Sequence, residues 1–322
     1  MDINLTSQKI YSSILEAKRI LIVSHQRPDA DAFGSMLALG YWLDTLGKNH
    51  VKLAYDLPPQ NLAWLANYKP LFVSAVDLSQ DFDLLIVLDS SDLAHAGADR
   101  IIAALPARPK IINIDHHATN VSFGDINLVL PQAVSTSEII YQFFSILKIQ
   151  ITKNIASAIL AGIIYDSYNF TNPNTNYQSL ETAAKMLIAG ASLNQVSDSI
   201  LKNKSIESLK IWGEILMRLK YNQDWEIAST YVTLKDLENQ PDNTDITEGI
   251  ANFLNNLTGI KALLVIQELP DNLIKGSLRT NNDLIDVAKL AKIFGGGGHQ
   301  KAAGFKIKGR LITTADGHWS IQ

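Results

Sequence analysis

Four short apolar runs in the first half of the chain, Arg19–Ser24, His50–Tyr55, Leu84–Leu88 and Lys110–Ile114, alternate with longer segments of helical periodicity. Runs this short that are apolar throughout suit strands buried on both faces. The intervening segments supply covering helices. Ala32–Leu46 is closed by Gly47, Ser135 and Glu138 have capping-box spacing ahead of Ile139–Leu147, and Ile155–Tyr165 and Ser179–Ile188 continue the pattern. This βαβ order predicts an α/β fold built on a doubly wound parallel sheet.

The second half reads differently. Ser192–Lys220 has no proline and reads as one long helical stretch. Beyond it, Trp225–Leu234, Ile260–Leu269 and Leu273–Thr280 read as strands, the last two joined by a Pro270-Asp271-Asn272 hairpin. Asp245–Leu257 and Asp283–Phe294 read as helices, the latter running into Gly295-Gly296-Gly297-Gly298-His299. The expected organisation is a larger α/β domain over 1–190, a helical linker over 191–220 and a smaller α/β domain over 221–322. A length of 322 residues agrees with two domains.

Composition narrows the chemistry. With 47% hydrophobic residues the chain can build cores, and no apolar run approaches the ~18 residues of a membrane span. The N-terminus lacks a basic segment followed by an apolar one, so a cytoplasmic protein without a membrane partner is expected. The chain has no cysteine, which leaves any metal to His, Asp and Glu, donors suited to Mn²⁺ or Mg²⁺. The net charge is −4, disfavouring a broad basic face for long duplex nucleic acid. The charge is unevenly divided: residues 1–259 hold 19 basic and 27 acidic side chains (−8), and 260–322 hold 9 and 5 (+4). An acidic body suits metals, and a basic C-terminal segment suits phosphates.

Acids and histidines recur just beyond predicted strand ends, the edge where parallel α/β sheets bind ligands. His25-Gln26-Arg27-Pro28-Asp29-Ala30-Asp31 follows the first strand, Asp89-Ser90-Ser91 the third and Asp115-His116-His117 the fourth, while Asp166 ends the helix Ile155–Tyr165. Each acid alone reads first as a helix cap or end. Together, so many ligands on one edge repel one another unless cations offset them. Asp29 and Asp31, two residues apart, can serve two neighbouring ions, and a third carboxylate can bridge them, an arrangement that suits phosphoester hydrolysis. His50, His95 and His318 sit in contexts that give them no role.

Asp115-His116-His117, with His25-x-x-Pro28-Asp29-x-Asp31, Asp89 and Asp166, resembles the DHH phosphoesterases in spacing and order. The stretch Gly295–Phe305, with Thr247-Glu248-Gly249-Ile250 and Ser277-Leu278-Arg279-Thr280, resembles the DHHA1 domain that accompanies one branch of that family. The resemblance covers nearly the whole chain. It implies a DHH catalytic domain joined by the helical linker to a DHHA1 substrate-binding domain, with the active site in the interdomain cleft. It further implies two Mn²⁺ ions, with Mg²⁺ or Co²⁺ as substitutes, held by His25, Asp29, Asp31, Asp89, His116 and Asp166, Asp89 being the bridge. Asp115 would orient ligands, His117 would contact the scissile phosphate or leaving oxygen, and Gly296, Gly297, Gly298, His299 and Arg279 would hold the terminal phosphate. Relatives often have Thr-Gly after the last ligand, where this chain has Ser167-Tyr168.

In size and domain content the chain is most similar to the branch of bifunctional oligoribonucleases and 3′-phosphoadenosine-5′-phosphate (pAp) phosphatases. The expected activity is Mn²⁺-dependent degradation of RNA of two to about five nucleotides to mononucleotides, together with dephosphorylation of pAp. The expected protein is a monomer or homodimer. A soluble phosphodiesterase of cyclic di-AMP or its linear product pApA is the alternative. A noncatalytic nucleotide sensor is a second one, opposed by the intact ligand set.

Overall fold

The computed structural model describes residues 2–26, 28–53, 60–66, 77–172, 174–201, 205–237, 249–314 and 319–322. The chain divides into two compact units, Met1–Asn203 and Lys204–Gln322.

The first unit comprises α1 (Ile3–Glu16), β1 (Arg19–Val23), α2 (Ala30–Thr45), β2 (Asn49–Leu53), β3 (Leu84–Leu88), α3 (Ala98–Ala104), β4 (Lys110–Asp115), β5 (Ile126–Val129), α4 (Thr136–Ile146), α5 (Lys153–Asp166), α6 (Tyr177–Ile188) and α7 (Leu193–Leu201). Its sheet has the order β2-β1-β3-β4-β5, every pairing parallel. Successive strand residues point to opposite faces. Ile20, Ile22, Ile86, Leu88, Ile112 and Ile114 therefore enter one core with α1, α2, α4 and α5. Their neighbours Leu21, Val23, Leu85, Val87 and Ile111 enter another with Ala98 and Ile101 of α3. Helices lie on both faces, so the sheet is doubly wound, as the apolar runs predict. Two helix glycines set how closely α2 and α5 approach: a Cβ on Gly34 would lie 2.4 Å from the Ala158 carbonyl oxygen.

The second unit contains α8 (Ile206–Met217), β6 (Lys220–Asn222), β7 (Ile227–Val232), α9 (Leu234–Leu237), α10 (Ile250–Leu254), β8 (Ala262–Leu269), β9 (Leu273–Arg279), α11 (Val287–Ile293), β10 (Gly297–His299), β11 (Ala302–Lys308), β12 (Leu311–Thr313) and β13 (Trp319–Ile321). Its main sheet runs β10-β11-β9-β8-β7-β6, with β12 and β13 forming a separate pair. Only β7 and β8 pair in parallel; the other pairings are antiparallel. Asp271 and Asn272 both adopt left-handed φ, 62° and 56°, which turns the β8–β9 hairpin.

Several elements differ from the sequence reading. The stretch 192–220 is two helices, with Val196 of α7 buried in the first unit's core and Ile211, Trp212 and Ile215 of α8 in the second's. Ser205 starts α8 anew by capping the Ser208 N–H. The helix read over Asp283–Phe294 begins only at Val287, because the Asp286 carboxylate accepts from the Ala288 and Lys289 amides as its N-cap. Residues 54–55 of the second strand run, 245–248 of the helix read over Asp245–Leu257, and with them Thr247 and Glu248, lie outside the described residues, as do Arg27 and His318. No helix among the described residues is long and apolar enough to cross a membrane.

Candidate metal centre

The first unit gathers its acids and imidazoles at the C-terminal edge of the parallel sheet. His25 follows β1, Asp29 and Asp31 begin α2, Asp89 follows β3, Asp115, His116 and His117 end β4, and Asp166 ends α5. Three groups of potential ligands have donor atoms mutually within 4.8 Å: His25, Asp29 and Asp89; Asp31, His116 and Asp166; and Asp89, His116 and His117. Asp89 and His116 each belong to two groups. Every residue expected as a metal ligand is therefore brought into one cluster, and His117 joins it.

Asp89 stands at the centre. Its Oδ2 lies 3.5 Å from His25 Nε2 and its Oδ1 3.5 Å from His116 Nε2, so its two oxygens face two different imidazoles. Asp29 Oδ2 lies 3.7 Å from His25 Nε2, and Asp166 Oδ2 lies 3.4 Å from His116 Nε2. These separations are at the long end of the hydrogen-bond range. They are near the ~3.0–3.4 Å expected between two ligands that bind one ion at ~2.1 Å. The donor set, oxygen and imidazole without sulfur, suits hard divalent cations. On spacing and chemistry the residues fit such ions.

The local chain explains how the ligands are held. Asp89 has left-handed φ, 55°, which takes it out of the β3 line, and its Oδ1 accepts from Thr136 Oγ1 at 3.0 Å. Strained backbone of this kind concentrates at functional sites. Asp31 is fully buried, and its two oxygens accept the Thr136 and Ser137 amides at the N-terminus of α4, at 2.6 and 2.9 Å. Asp29 Oδ1 caps α2 through the Asp31 and Ala32 amides, leaving Oδ2 toward His25. Capping and ligation are thus the same carboxylates seen from two sides. His25 Nδ1 donates to the Gln26 carbonyl at 2.9 Å, which leaves Nε2 facing the acids, where it carries a proton in the cation-free protein and can bind a cation once that proton is lost.

Charge crowding shows in the titration of the cluster. Burial, with the Asp89 charge, raises Asp31 well above the usual carboxylate range, and burial with the charges of Asp31, Asp29 and Asp89 does the same to Asp166. Burial opposes ionisation of Asp89 too, but hydrogen bonding from His25 and the charges of His117, His25 and His116 outweigh it and lower its pKa. Burial likewise disfavours the charged His25, and Asp29 and Asp89 more than reverse it, raising His25 well above its ordinary value. Protons here occupy the place a cation would take, and binding a cation displaces them.

Asp115 acts on His117 rather than on the neighbouring His116. Its Oδ1 is 2.7 Å from His117 Nδ1, and its Oδ2 accepts from Asn120 Nδ2 at 2.6 Å. Asn120 also donates to the Ser90 carbonyl and pairs with Asn113, tying the segment after β3 to the segment after β4. Burial works against protonation of His117, but Asp115, and then Asp89, raise its pKa to about 9. A raised folded-state value stabilises the fold fully below the ordinary value of 6.5 and loses that contribution as pH climbs through about 9. In chelator, the thermal midpoint of the protein should therefore fall between pH 7 and 10, and fall less for His117→Asn; equal slopes would refute the Asp115–His117 pairing.

Sequence reasoning missed four contributors. Thr136 and Ser137, inside the capping-box spacing of Ser135 and Glu138, and Asn120 drew no functional reading, and His95 was given no role. The His95 ring stacks on His25 with centroids 5.4 Å apart and planes 14° apart, and its Nδ1 lies 3.3 Å from Ser90 Oγ. The capping box at Ser135 is half formed: Ser135 Oγ accepts the Glu138 amide, but the Glu138 carboxylate accepts the Val134 amide instead. After Asp166, Tyr168, Asn169 and Phe170 adopt consecutive left-handed φ of 48°, 57° and 66°. A β-carbon resists that conformation, so a glycine would sit there more easily.

In the second unit, the glycine run is a strand and not an open loop. Gly297, Gly298 and His299 pair with Gly304, Ala303 and Ala302, and a Cβ on Gly296 would lie 2.1 Å from the Gly304 carbonyl oxygen. The Gly295 and Gly296 amides donate to the Lys292 and Ala291 carbonyls and so are committed to the end of α11. Among the described residues β10 is the terminal strand of its sheet, so its outer edge presents backbone groups that no strand pairs. Arg279 Nε donates to Asn252 Oδ1 at 2.9 Å and its Nη1 to the Leu278 carbonyl, fixing the guanidinium. The side chain of His299 lies outside the described residues.

Comparison with known proteins agrees with both units. Residues 19–163 match the DHH family, N-terminal domain, and residues 230–315 match the DHHA1 domain. Over 303 residues the chain is 27% identical to the bifunctional oligoribonuclease and PAP phosphatase NrnA of Thermus thermophilus, covering 94% of this chain and 88% of that one. It is 25% identical over 330 residues to the cyclic-di-AMP phosphodiesterase GdpP of Geobacillus thermodenitrificans, covering 96% of this chain and 48% of the relative. The crystal structure of an exopolyphosphatase-related protein from Bacteroides fragilis superposes with a TM-score of 0.84 at 25% identity, covering 97% of this chain and 93% of that one.

Proposed function

Since the chain carries a DHH family N-terminal domain followed by a DHHA1 domain, it belongs among the DHH phosphoesterases, and we propose that it hydrolyses very short oligoribonucleotides to mononucleotides and removes a phosphate from pAp. The observation that carries the reading is Asp89, whose two oxygens face His25 and His116 and thereby join two ligand groups. The match to an oligoribonuclease and PAP phosphatase along 88% of its length supports the substrate class.

His25, Asp29 and Asp89 would hold one cation, and Asp31, His116 and Asp166, with Asp89 between, the other. Divalent cations such as Mn²⁺, with Mg²⁺ or Co²⁺ as substitutes, supply neutralisation of phosphoryl charge and acidify water when bound. The chain's own groups do the rest. Thr136 and the α4 amides fix Asp89 and Asp31, so the ligands need little reorganisation. His117, held at Nδ1 by Asp115, presents Nε2 as the proton donor to the leaving oxygen. In the second unit Arg279 and the outer edge of β10 hold the terminal phosphate.

Loading the centre should also stabilise the fold. A cation at a hundredfold its Kd contributes about 2.7 kcal/mol, worth roughly 5–10 °C in a unit of this size. Adding Mn²⁺ after chelation should produce that rise in differential scanning fluorimetry, and His116→Ala should abolish most of it. An unchanged midpoint would argue against ions at this cluster.

The deciding experiment for substrate is side-by-side turnover in Mn²⁺ of a diribonucleotide, pAp, linear pApA, cyclic di-AMP, pyrophosphate and a 24-nucleotide RNA. Turnover of the diribonucleotide and pAp, with the 24-mer and pyrophosphate spared, is expected. The GdpP match motivates the cyclic di-AMP arm, and preference for that substrate would replace the reading.

A further inference from the structure

The segment that follows β3 does more than supply Asp89. The buried Ser90 donates from Oγ to the Asp92 carbonyl at 3.0 Å, and Asp92 Oδ1 accepts the His95 amide at 2.7 Å. With its proton committed to Asp92, Ser90 Oγ is left to accept from His95 Nδ1, 3.3 Å away. Ser90 is itself held at its carbonyl by Asn120 Nδ2, and Ala96 and Ala98, just beyond His95, are buried in the core beside α3. An exposed side chain ordinarily keeps its rotamer freedom. His95 is exposed, yet it is anchored at its ring and at its amide.

What the anchored ring meets is His25. The two imidazoles have planes 14° apart and centroids 5.4 Å apart, an offset stack of the kind aromatic rings favour. The backbone joins the same two residues: the His95 carbonyl accepts the Gln26 amide at 3.4 Å, and the Gln26 carbonyl accepts from His25 Nδ1 at 2.9 Å. Both the face of His25 and the peptide that sets its tautomer therefore lead to His95. A ligand imidazole needs its plane fixed as well as its tautomer, because a ring that swings carries Nε2 away from the ion. Gln26, an exposed residue next to His25 in sequence, fixes only the Nδ1 edge.

We infer that His95 is a positioning residue for the cation held by His25, Asp29 and Asp89: its ring is a flat wall that keeps the His25 imidazole in the plane that aims Nε2 at the ion. This rests on the reading of the cluster as a cation centre, and it adds an asymmetry between the two cations. His25 belongs to that one group of ligands, and Asp31, His116 and Asp166 form theirs without it. His95 therefore bears on one cation and not on the other.

The test titrates the chelator-stripped full chain with Mn²⁺, reading free ion by electron paramagnetic resonance, for wild type, His95→Ala, His95→Phe and His95→Gln, with His25→Ala to mark which affinity belongs to His25. His95→Ala should weaken the His25-dependent site about tenfold, the scale of losing a group that orients a metal ligand, and leave the other site within about twofold. That other site, in the same molecule, reports folding. Phenylalanine keeps a flat ring without the Ser90 bond and should hold affinity within about threefold of wild type. Glutamine keeps a donor without the ring and should behave as alanine does. Since His95 acts through His25, saturating Mn²⁺ should return diribonucleotide turnover by His95→Ala to within about threefold of wild type. Unchanged affinities in His95→Ala, an equal fall at both sites, a Phe variant as weak as Ala, a Gln variant like wild type, or a loss of turnover that saturating Mn²⁺ does not restore would each overturn the role of His95 while leaving the cation centre intact. Wild type that binds no Mn²⁺ would overturn that centre and this inference with it.

Discussion

Asp89→Asn should lower kcat on a diribonucleotide on the order of 10³-fold or more, the scale of losing a group that acts at the reacting centre, with the thermal midpoint in chelator modestly lowered. The substitution keeps volume and shape. Asparagine tolerates the left-handed φ of 55° that residue 89 adopts, which alanine does at an added cost of about 1–2 kcal/mol. Its side-chain oxygen can still accept from Thr136 Oγ1. What is lost is the charge that faces His25 on one side and His116 on the other. Because His25, His117 and His116 hold Asp89 ionised in the cation-free protein, its loss leaves those imidazoles without their counter-charge, which lowers the midpoint although the crowding of Asp31 and Asp166 is eased. A variant that is well folded and keeps more than a tenth of wild-type turnover would remove Asp89 from the centre of the mechanism.

Gly162→Ala should cost about 1–3 kcal/mol of stability by overpacking and most of the activity. A Cβ at position 162 would lie 2.3 Å from Asp31 Oδ1 and 2.2 Å from Ser137 Oγ, so the carboxylate and the α4 hydroxyl that supports it cannot both stay in place. The cost falls on Asp31, a proposed metal ligand, although Gly162 bears no functional atom. Gly213→Ala is the matched control. It also lies within a helix, α8, where an added Cβ meets nothing within 4 Å, and it should stabilise by up to about 1 kcal/mol through helix propensity. Chemical denaturation of the two variants beside wild type, with turnover measured on each, checks both signs. A Gly162→Ala protein as stable and active as wild type would mean that Asp31 is not held as described.

Much of the first unit was legible because its information is local. Leu84–Leu88 is apolar throughout and Lys110–Ile114 nearly so, and each is followed at once by acids or histidines, so the sheet and the edge that gathers those groups are written in the same segments. β5 escaped because it is four residues long with only Leu128 buried, and α1 because its buried stripe is only Ser7, Ile10, Ser13 and Ile14. The support of the ligands was not legible for a different reason. Asp31 meets Ser137 across 106 positions, and Asp89 meets Thr136 across 47, so no spacing rule within one segment reports either contact. His95 was passed over because nothing in its neighbours signals a ring stacked on His25. In the second unit the strand over Gly297–His299 was not legible because glycine weakens strand propensity; its pairing with Ala302–Gly304, where a residue larger than glycine at 298 would clash, creates it.

The central claim is that the His25, Asp29, Asp31, Asp89, His116 and Asp166 cluster is a cation-dependent phosphoesterase centre for short oligonucleotides. The most direct test strips the protein with chelator, removes the chelator, and follows diribonucleotide hydrolysis as Mn²⁺ is added back. The account predicts no turnover in the stripped protein, recovery as Mn²⁺ saturates about two sites per chain, and no recovery in Asp89→Asn. Hydrolysis that persists without divalent cation, or none at any Mn²⁺ concentration in a protein whose melting responds to the metal, would contradict it.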